Sequence, residues 1–385
     1  MAMAALQVPG VYVAERVERR APVLPTGVPA FAGLVSTASY GPVALHRKED
    51  FAGSAVGHLG DAIDGFFDNG GVYCYVIGVH SDTDRDHPVT PAEAAGLASA
   101  LALLAPFHDI DLVAIPDADA VRTADGVDES IFLQVQRGLL QHCTEQADRI
   151  ALLDALPSKD AQHVIDDQVK KLGLASNGPI NAALYHPWIR TATGGDQLVP
   201  PCGHIAGIIA RSDALGGVSA APANIEVLGA TDLAADLDAA SVGLLNDRGV
   251  NCLRAFAARG IRVWGARTLS SASDWRFLNV RRLVLTLRRW IDLNMSWAAF
   301  EPNVPALWAR IQRELTDYLQ QLWSAGALQG SSSDEAFFVR CDAELNPPEL
   351  RETGQVITQI GLAPAVPAEF IVVSVQHRAG TTELL

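Results

Sequence analysis

Residues 66–79 read FFDNGGVYCYVIGV, which is the end of a helix, two glycines and an unbroken apolar run. The run over residues 72–79 has no polar alternation, and this is typical of a strand buried on both faces of a sheet. The preceding segment, residues 57–69, has the apolar spacing of an amphipathic helix that ends at the glycine pair. A helix followed directly by a buried strand indicates a sheet covered by helices, which is the α/β class.

The same alternation continues downstream, where a capping box of Thr90 and Glu93 predicts the start of another helix. The strands and helices predicted after it alternate over residues 111–117, 128–146, 149–156, 161–172 and 181–189. Alternation of this kind predicts a mixed, largely parallel sheet.

The last third of the chain has a different pattern. Residues 256–271 indicate short strands and turns, and two long helices follow, the second capped by Asn303 with Pro305 in its first turn. The apolar face of the first helix consists of Val280, Leu283, Val284, Leu287 and Ile291. The sequence therefore predicts an α/β protein (α+β as a whole) with a second, more helical unit.

Both ends of the chain have the pattern of a β-strand. Near the start, Val11, Val13 and Val17 alternate with polar residues, and several prolines follow, so no neighbouring segment can fold back to pair with this strand. Residues 369–379, EFIVVSVQHRA, form the last predicted strand. The sequence leaves two options open for these strands. Either residues 10–18 pair with residues 369–377 within one subunit, or each segment pairs with another molecule.

Composition limits the class of protein. The 385 residues are 49% hydrophobic and 19% charged, which suits two or three globular domains and excludes a disordered chain. The longest apolar stretch, near residues 94–107, is too short to span a bilayer, and no signal peptide is expected. The five cysteines lie at least 50 residues apart, which argues against a disulfide framework and for a reducing cytoplasm.

The net charge of −15 is unevenly distributed. Residues 29–252 hold 12 basic and 29 acidic side chains, whereas residues 253–330 hold 11 arginines and 5 acidic side chains. Four of these arginines form pairs seven residues apart on one side of the predicted helix: Arg281, Arg282, Arg288 and Arg289. They indicate either a solvated helix face or a contact with an acidic partner. Nucleic acid is disfavoured by the negative total.

Catalytic motifs are absent from the sequence. It contains no phosphate-binding glycine loop, no nucleophile elbow and no zinc-binding pair of histidines. Asp117 and Asp154 follow predicted parallel strands, where α/β enzymes place sites, but helix caps or turns explain them equally. Cys202 lies two residues before His204, and we expect it to be a buried or turn cysteine rather than a nucleophile. We therefore expect no catalytic, metal or cofactor site, and keep an α/β enzyme using Asp117 and Asp154 as the alternative.

Several motifs in order carry a resemblance to a known family. They are PGVYV (9–13), VPAFAG (28–33), YGP (40–42), FFDNGGVYCYVIGV (66–79), YHPWI (185–189), VPPCGHIAGIIARSD (199–213), APAN (221–224), LNDRGVNCLRAFAARGIRVWGARTLSSASDWRFLNVRRL (245–283), FEPN (300–303), LWSAGALQG (322–330) and PAEFIVV (367–373). Together they resemble the contractile tail sheath family of phages, R-type pyocins and extracellular contractile injection systems.

The resemblance implies four regions. They are an N-terminal arm (1–28), an outer α/β domain (29–252), an inner, tube-facing α+β domain (253–368) and a C-terminal strand or arm (369–385). In this family the arms add strands to sheets in neighbouring subunits, which would answer where the terminal strands pair. The implied arm-strand residues are Val11, Tyr12, Val13, Val17, Phe370, Ile371, Val372, Val373 and Val375. The implied hinge residues are Pro22, Pro25, Gly27 and Pro29.

The resemblance also implies the function and the partners. Subunits would polymerise as stacked hexameric rings around an inner tube and contract to drive the tube outward. The partners would be copies of the chain, the tube, a baseplate and a terminal cap, with no nucleic acid and no insertion into a membrane. We expect Arg281, Arg282, Arg288 and Arg289 to include tube-facing residues. Assembly would occur in the cytoplasm, with release on lysis left open. A binding module that stays monomeric is a second alternative.

Overall fold

The computed structural model describes residues 24–51, 54–82, 90–119, 122–123, 126–127, 129–158, 160–174, 178–192, 197–369, 375–378 and 381–384. The strands are β1 (Pro29–Val35), β2 (Tyr40–Leu45), β3 (Cys74–His80), β4 (Leu112–Ala114), β5 (Arg122–Thr123), β6 (Gly126–Val127), β7 (Ile150–Asp154), β8 (Ala182–His186), β9 (Ile189–Thr191), β10 (Leu198–Val199), β11 (Ala230–Leu233), β12 (Val250–Phe256), β13 (Gly260–Trp264), β14 (Phe337–Arg340), β15 (Gln359–Leu362), β16 (Val375–Arg378) and β17 (Thr381–Leu384).

The helices are α1 (Leu59–Asp68), α2 (Pro91–Ala100), α3 (Glu129–Gln146), α4 (Ala161–His163), α5 (Cys202–Gly216), α6 (Ala239–Asp247), α7 (Leu278–Asn294), α8 (Pro305–Ser324), α9 (Ser333–Ala336) and α10 (Pro348–Glu352). A π-helical segment, Val164–Val169, continues α4. None of the helices in the described part of the chain combines the length and apolar character needed to cross a bilayer.

An eight-stranded sheet organises the larger part of the molecule. Its strand order is β13-β12-β8-β7-β4-β1-β3-β2. The six inner strands are parallel to one another. The edge strands are antiparallel to the strands beside them, β2 to β3 and β13 to β12. The fold class predicted from the sequence, a mixed and largely parallel α/β sheet, is thus confirmed. Strands that are apolar along their whole length are buried only when helices cover both faces of the sheet, and this explains the arrangement.

Three smaller features bear on the sequence prediction. The capping box at the start of α2 is present, since Glu93 N donates to Thr90 Oγ1 and the Glu93 carboxylate accepts the Thr90 N–H. The strand predicted at residues 181–189 is divided at Pro187 into β8 and β9, which belong to different sheets. Asn303 does not cap α8, because its amide contacts Trp308 and Gln355 instead.

Helix α7 lies between the large sheet and a C-terminal layer. Leu285 packs in the core below the sheet, whereas Leu283 and Leu287 pack in a separate core with Leu319 of α8. Farther along α7, Trp290 stacks on Tyr318 with ring centroids 4.2 Å apart. Helix α7 is therefore buried on more than one side, and Arg288 and Asp292 lie on the part that stays exposed.

Two sequence predictions are corrected by the topology. The proposed boundary between residues 252 and 253 falls inside β12, which pairs with β8 and β13, so the large sheet continues to Trp264. The C-terminal strand has a local partner in its described part, since β16 pairs antiparallel with β17.

Candidate functional site: the roots of the terminal arms

Residues 24–28 follow the segment predicted to be the N-terminal arm and lead into β1, and we call them the N-terminal root. The Asp111 carboxylate accepts the Gly27 N–H at 3.1 Å and the Val28 N–H at 2.7 Å. Gly27 has φ +71°, and a Cβ at this position would lie 2.5 Å from Ala210 Cα. Only glycine fits this backbone, because the left-handed conformation and the contact with α5 both exclude a side chain.

A buried ion-pair network holds Asp111 in place. Arg282 of α7 donates to Asp111 Oδ2 at 2.7 Å and forms two bonds, of 2.7 and 2.6 Å, with the Asp213 carboxylate. Arg282 is 2% exposed. Burial alone would lower its pKa, but Asp213 and Asp111 outweigh burial and raise the pKa above its ordinary value. The guanidinium therefore stays charged and binds both carboxylates.

A second arginine of α7 contacts the N-terminal root directly. Arg289 donates to the Pro25 carbonyl at 3.3 Å and to the Asp109 carbonyl at 3.2 Å. Its guanidinium lies 3.9 Å from the Asp111 carboxylate. Helix α7 therefore holds the backbone on either side of Gly27. Arg289 bonds directly to Pro25, and Arg282 binds the Asp111 carboxylate that accepts the Val28 N–H.

Residues 363–369 precede the segment predicted to be the C-terminal arm, and we call them the C-terminal root. Glu369 pairs with Arg267, whose Nε lies 2.9 and 3.1 Å from the two carboxylate oxygens and whose Nη2 also donates to Oε2. This pairing, chiefly through the hydrogen bond, raises the pKa of Arg267. Asn279 of α7 donates to the Ala365 carbonyl at 3.0 Å. Helix α7 therefore contacts both roots.

The arginines expected to face an inner tube are mostly inside the subunit. Arg281, Arg282 and Arg289 are 8%, 2% and 2% exposed, so the prediction that they form a surface is wrong for these three. Arg281 donates to Asn181 at 2.7 Å, and its pKa is lowered to about 10 by burial and then by Arg288. Arg288 alone has an exposed side chain, and its contact with a tube stays a prediction.

Three of the expected hinge residues mark the fixed end of the arm. Gly27 is held by Asp111, the Pro25 carbonyl accepts a hydrogen bond from Arg289, and Pro29 is the buried first residue of β1. A hinge needs backbone that can rotate, so these positions are corrected from hinge to anchor. Pro22 lies outside the described residues.

Most of the expected arm-strand residues also lie outside the described part of the chain. They are Val11, Tyr12, Val13, Val17, Phe370, Ile371, Val372 and Val373. Val375 is described and begins β16, opposite Leu384 of β17. Whether these residues pair with a neighbouring subunit remains a prediction.

The two carboxylates of the enzyme alternative bind backbone amides. Asp117 is fully buried and accepts the N–H groups of Leu34 and His58. Asp154 accepts the N–H of Cys202 at the start of α5. Burial raises the pKa of the Cys202 thiol well above its ordinary value, so this cysteine is a poor nucleophile.

Among the described residues, the group closest to metal-ligand geometry is Glu129, His163 and Asp167. His163 Nε2 lies 3.1 Å from Glu129 and 3.3 Å from Asp167. Lys171 Nζ also pairs with both carboxylates. The lysine supplies the positive charge that a cation would bring, so ion pairing explains the group.

Sequence reasoning missed the partners that hold the roots. No sequence pattern assigned a role to Asp111, Asp213, Arg267 or Glu369. Asp111 and Arg282 are separated by 171 residues. No local pattern announces a pair of this kind, because each residue on its own resembles an ordinary surface charge.

Comparison with known proteins places this architecture in a family. Residues 88–269 match the phage tail sheath protein central domain, and residues 270–378 match the phage tail sheath C-terminal domain. The tail sheath protein of Vibrio phage KVP40 is 28% identical over 180 residues, which is 46% of this chain and 26% of that protein. A prophage major tail sheath protein of Pseudomonas aeruginosa is 26% identical over 185 residues, 46% of each chain. The chain covers less than half the length of either relative.

Solved structures match over nearly the full length. The anti-feeding prophage helical sheath in its contracted state has a TM-score of 0.76 and 27% identity, covering 97% of this chain and 100% of that one. The sheath complex of the extracellular contractile injection system PVC, also contracted, has a TM-score of 0.74 and 26% identity, covering 98% and 99%. The two matched family ranges together span residues 88–378, well over half of the sequence. The chain belongs to the phage tail sheath family.

Proposed function

We propose that this chain is the structural subunit of a contractile sheath, which polymerises as stacked hexameric rings around an inner tube and shortens to drive the tube forward. Membership of the sheath family and the full-length likeness to two contracted sheaths support this proposal. The role we infer is mechanical rather than catalytic. Baseplate and cap proteins would bound the cylinder, and the particle would assemble in the cytoplasm of the producing cell.

The observation that carries the proposal is the attachment of both arm roots to α7. Arg282 and Arg289 act on the N-terminal root, and Asn279 acts on the C-terminal root. A subunit whose arms pair with its neighbours must transmit tension from one arm to the other without unfolding. The hydrogen bonds of Arg282 and Arg289 are charge-assisted and suited to this task, because breaking them leaves a charge unpaired, whereas the Asn279 bond joins neutral groups.

The two-stranded sheet β14–β15 is the acceptor we propose for an arm of a neighbouring copy. Neither strand has a further strand partner among the described residues, and Phe338 on β14 is 51% exposed. An isolated pair of strands is marginal in water, and added strands would complete the sheet through backbone hydrogen bonds. In this arrangement β14–β15 belongs to the inner unit, which we propose faces the tube.

Electron microscopy of negatively stained particles tests the function. The full chain, expressed alone and together with a candidate tube protein, is expected to form striated hollow cylinders. A variant lacking residues 1–20 keeps the whole N-terminal root and is expected to lose them. Cylinders from both chains would keep the sheath function and remove the role of the arm. Monomers from both, with and without the tube, would contradict the proposal and favour the binding module.

A further inference from the structure

The outer end of the β12–β13 hairpin carries an arginine–aromatic patch, formed by Arg254, Phe256, Arg259, Arg262 and Trp264. The rings of Phe256 and Trp264 are 4.7 Å apart. The guanidinium groups of Arg254 and Arg259 lie 5.4 and 5.8 Å from the Phe256 ring centroid. Trp264 is 38% exposed. Stacking of this kind holds the cations in fixed positions while leaving their hydrogen-bond donors available.

The strand register explains why the patch is a rigid surface. Arg254 lies opposite Arg262 in the antiparallel pair, and Phe256 lies opposite Gly260. On the other face of the hairpin, Ile261 and Val263 are buried in the core of the large sheet. Because side chains alternate across a strand, the buried face fixes the orientation of the patch.

The charges of the patch are only partly offset within the subunit. Glu226 lies beside the patch, since it forms a β-bridge with Arg262 and its carboxylate oxygen is 2.8 Å from the position of a Cβ at Gly260. Arg259 and Arg262 donate to Asn224, an uncharged residue, at 2.9 and 2.6 Å. In the described part of the chain none of the three arginines forms an ion pair with a carboxylate; the Arg254 guanidinium contacts the Phe256 ring. Like charges directly opposite each other on neighbouring strands destabilise a sheet, so the Arg254–Arg262 pair costs stability in the isolated chain.

We propose that the arginine–aromatic patch binds carboxylates on a second copy of this chain. The proposal rests on the sheath function above, in which every subunit is surrounded by copies. The chain has 44 acidic and 29 basic residues, so a neighbouring copy presents mainly negative charge to this cationic surface. Nucleic acid is the less favoured occupant, because the negative total of the chain would repel its phosphates.

Crosslinking in assembled cylinders tests the contact. Arg259→Lys places an amine in the patch of a chain that has only four lysines, and a carbodiimide joins an amine to a carboxylate in direct contact with it. The expected result is a ladder of covalent multimers on a denaturing gel that the unsubstituted chain does not give. Mass spectrometry should then identify Lys at position 259 joined to an Asp or Glu peptide. The proposal would be overturned if crosslinks formed only within the monomer, only to a tube protein, or not at all.

Charge reversal provides a second test that does not depend on crosslinking. Arg254→Glu combined with Arg259→Glu is expected to reduce the yield of cylinders at least about tenfold, because attraction becomes repulsion in every copy. Arg313→Glu makes the same kind of change on the exposed face of α8 and is expected to assemble normally. Equal yields from the double variant and the unsubstituted chain would overturn the contact. In that case cylinders still form, so the proposed sheath function would stand.

Discussion

Arg282 and Asp111 meet at 2.7 Å although 171 residues separate them, and the same Asp111 carboxylate binds the backbone of Gly27 and Val28. One ion pair therefore connects the N-terminal root to the helix that also contacts the C-terminal root. The contact belongs to the interior of the subunit, where its free energy depends on every charge having a partner.

Removing the guanidinium of Arg282 is expected to be strongly destabilising. Arg282→Ala leaves Asp213 buried without a counter-charge and leaves Asp111 with only the Arg289 guanidinium at 3.9 Å, and breaking a buried pair from one side costs about 3–5 kcal/mol. Thermal unfolding of the full chain should show a lower Tm. Arg288→Ala, on the exposed side of the same helix, is the matched control and should change stability by less than about 0.5 kcal/mol. Similar losses in the two variants would contradict the network.

Gly27 is expected to tolerate no side chain. Gly27→Ala combines a left-handed backbone with a contact of 2.5 Å to Ala210 Cα. The control is Gly354→Ala, which has a similar φ of +73° but no atom within 4 Å of the added Cβ. Gly354 follows the C-cap of α10 with the hydrogen bonds of a left-handed turn, so Gly354→Ala should cost about 1–2 kcal/mol from backbone conformation alone. Gly27→Ala should cost more than Gly354→Ala in the same unfolding assay. Equal costs would show that the root can move away from α5.

The pair of Arg267 and Glu369 is expected to order the C-terminal root. A double-mutant cycle with Arg267→Ala and Glu369→Ala should give a coupling of about 0.5–3 kcal/mol, as found for residues in direct contact. Hydrogen exchange over residues 359–369 should become faster in either single variant. A coupling near zero, with unchanged exchange, would mean that the root is held mainly by Asn279.

Stability is expected to fall as the solution becomes acidic. Burial lowers the pKa of His142, His186 and His204 to about 4, whereas unfolded histidine titrates near 6.5. Between these values the unfolded chain binds more protons than the folded one. The free energy of unfolding therefore decreases as pH falls from about 6.5 to about 4, by about 1.4 kcal/mol per pH unit for each histidine.

Replacing one of these histidines measures its share of the pH dependence. His142→Met removes one titrating group from α3, so the decrease in unfolding free energy with falling pH should become shallower by one proton in that window. The comparison uses unfolding of the full chain at several pH values. An unchanged slope would show that His142 is protonated in the folded state as readily as in the unfolded one.

The sequence was informative where local pattern decides the structure. The apolar run at residues 72–79 and the capping box at Thr90 predicted β3 and the start of α2, because strand burial and helix capping depend on neighbouring residues. The paired arginines of α7 show the limit. Helical spacing predicts which residues share one side of a helix, but not whether that side is exposed. Because α7 packs on several sides, most of its arginine side is buried, and Arg282 forms ion pairs with distant segments.

Helix α7 has 17 residues and so a length of about 25 Å. In the sheath that we propose, where the arms pair with neighbouring subunits, the shortest mechanical route between those neighbours would run through this helix, and the large sheet packs on one side of it. A new domain inserted into a surface loop of the large sheet would therefore add mass to the particle exterior without lengthening the element that bears the pull.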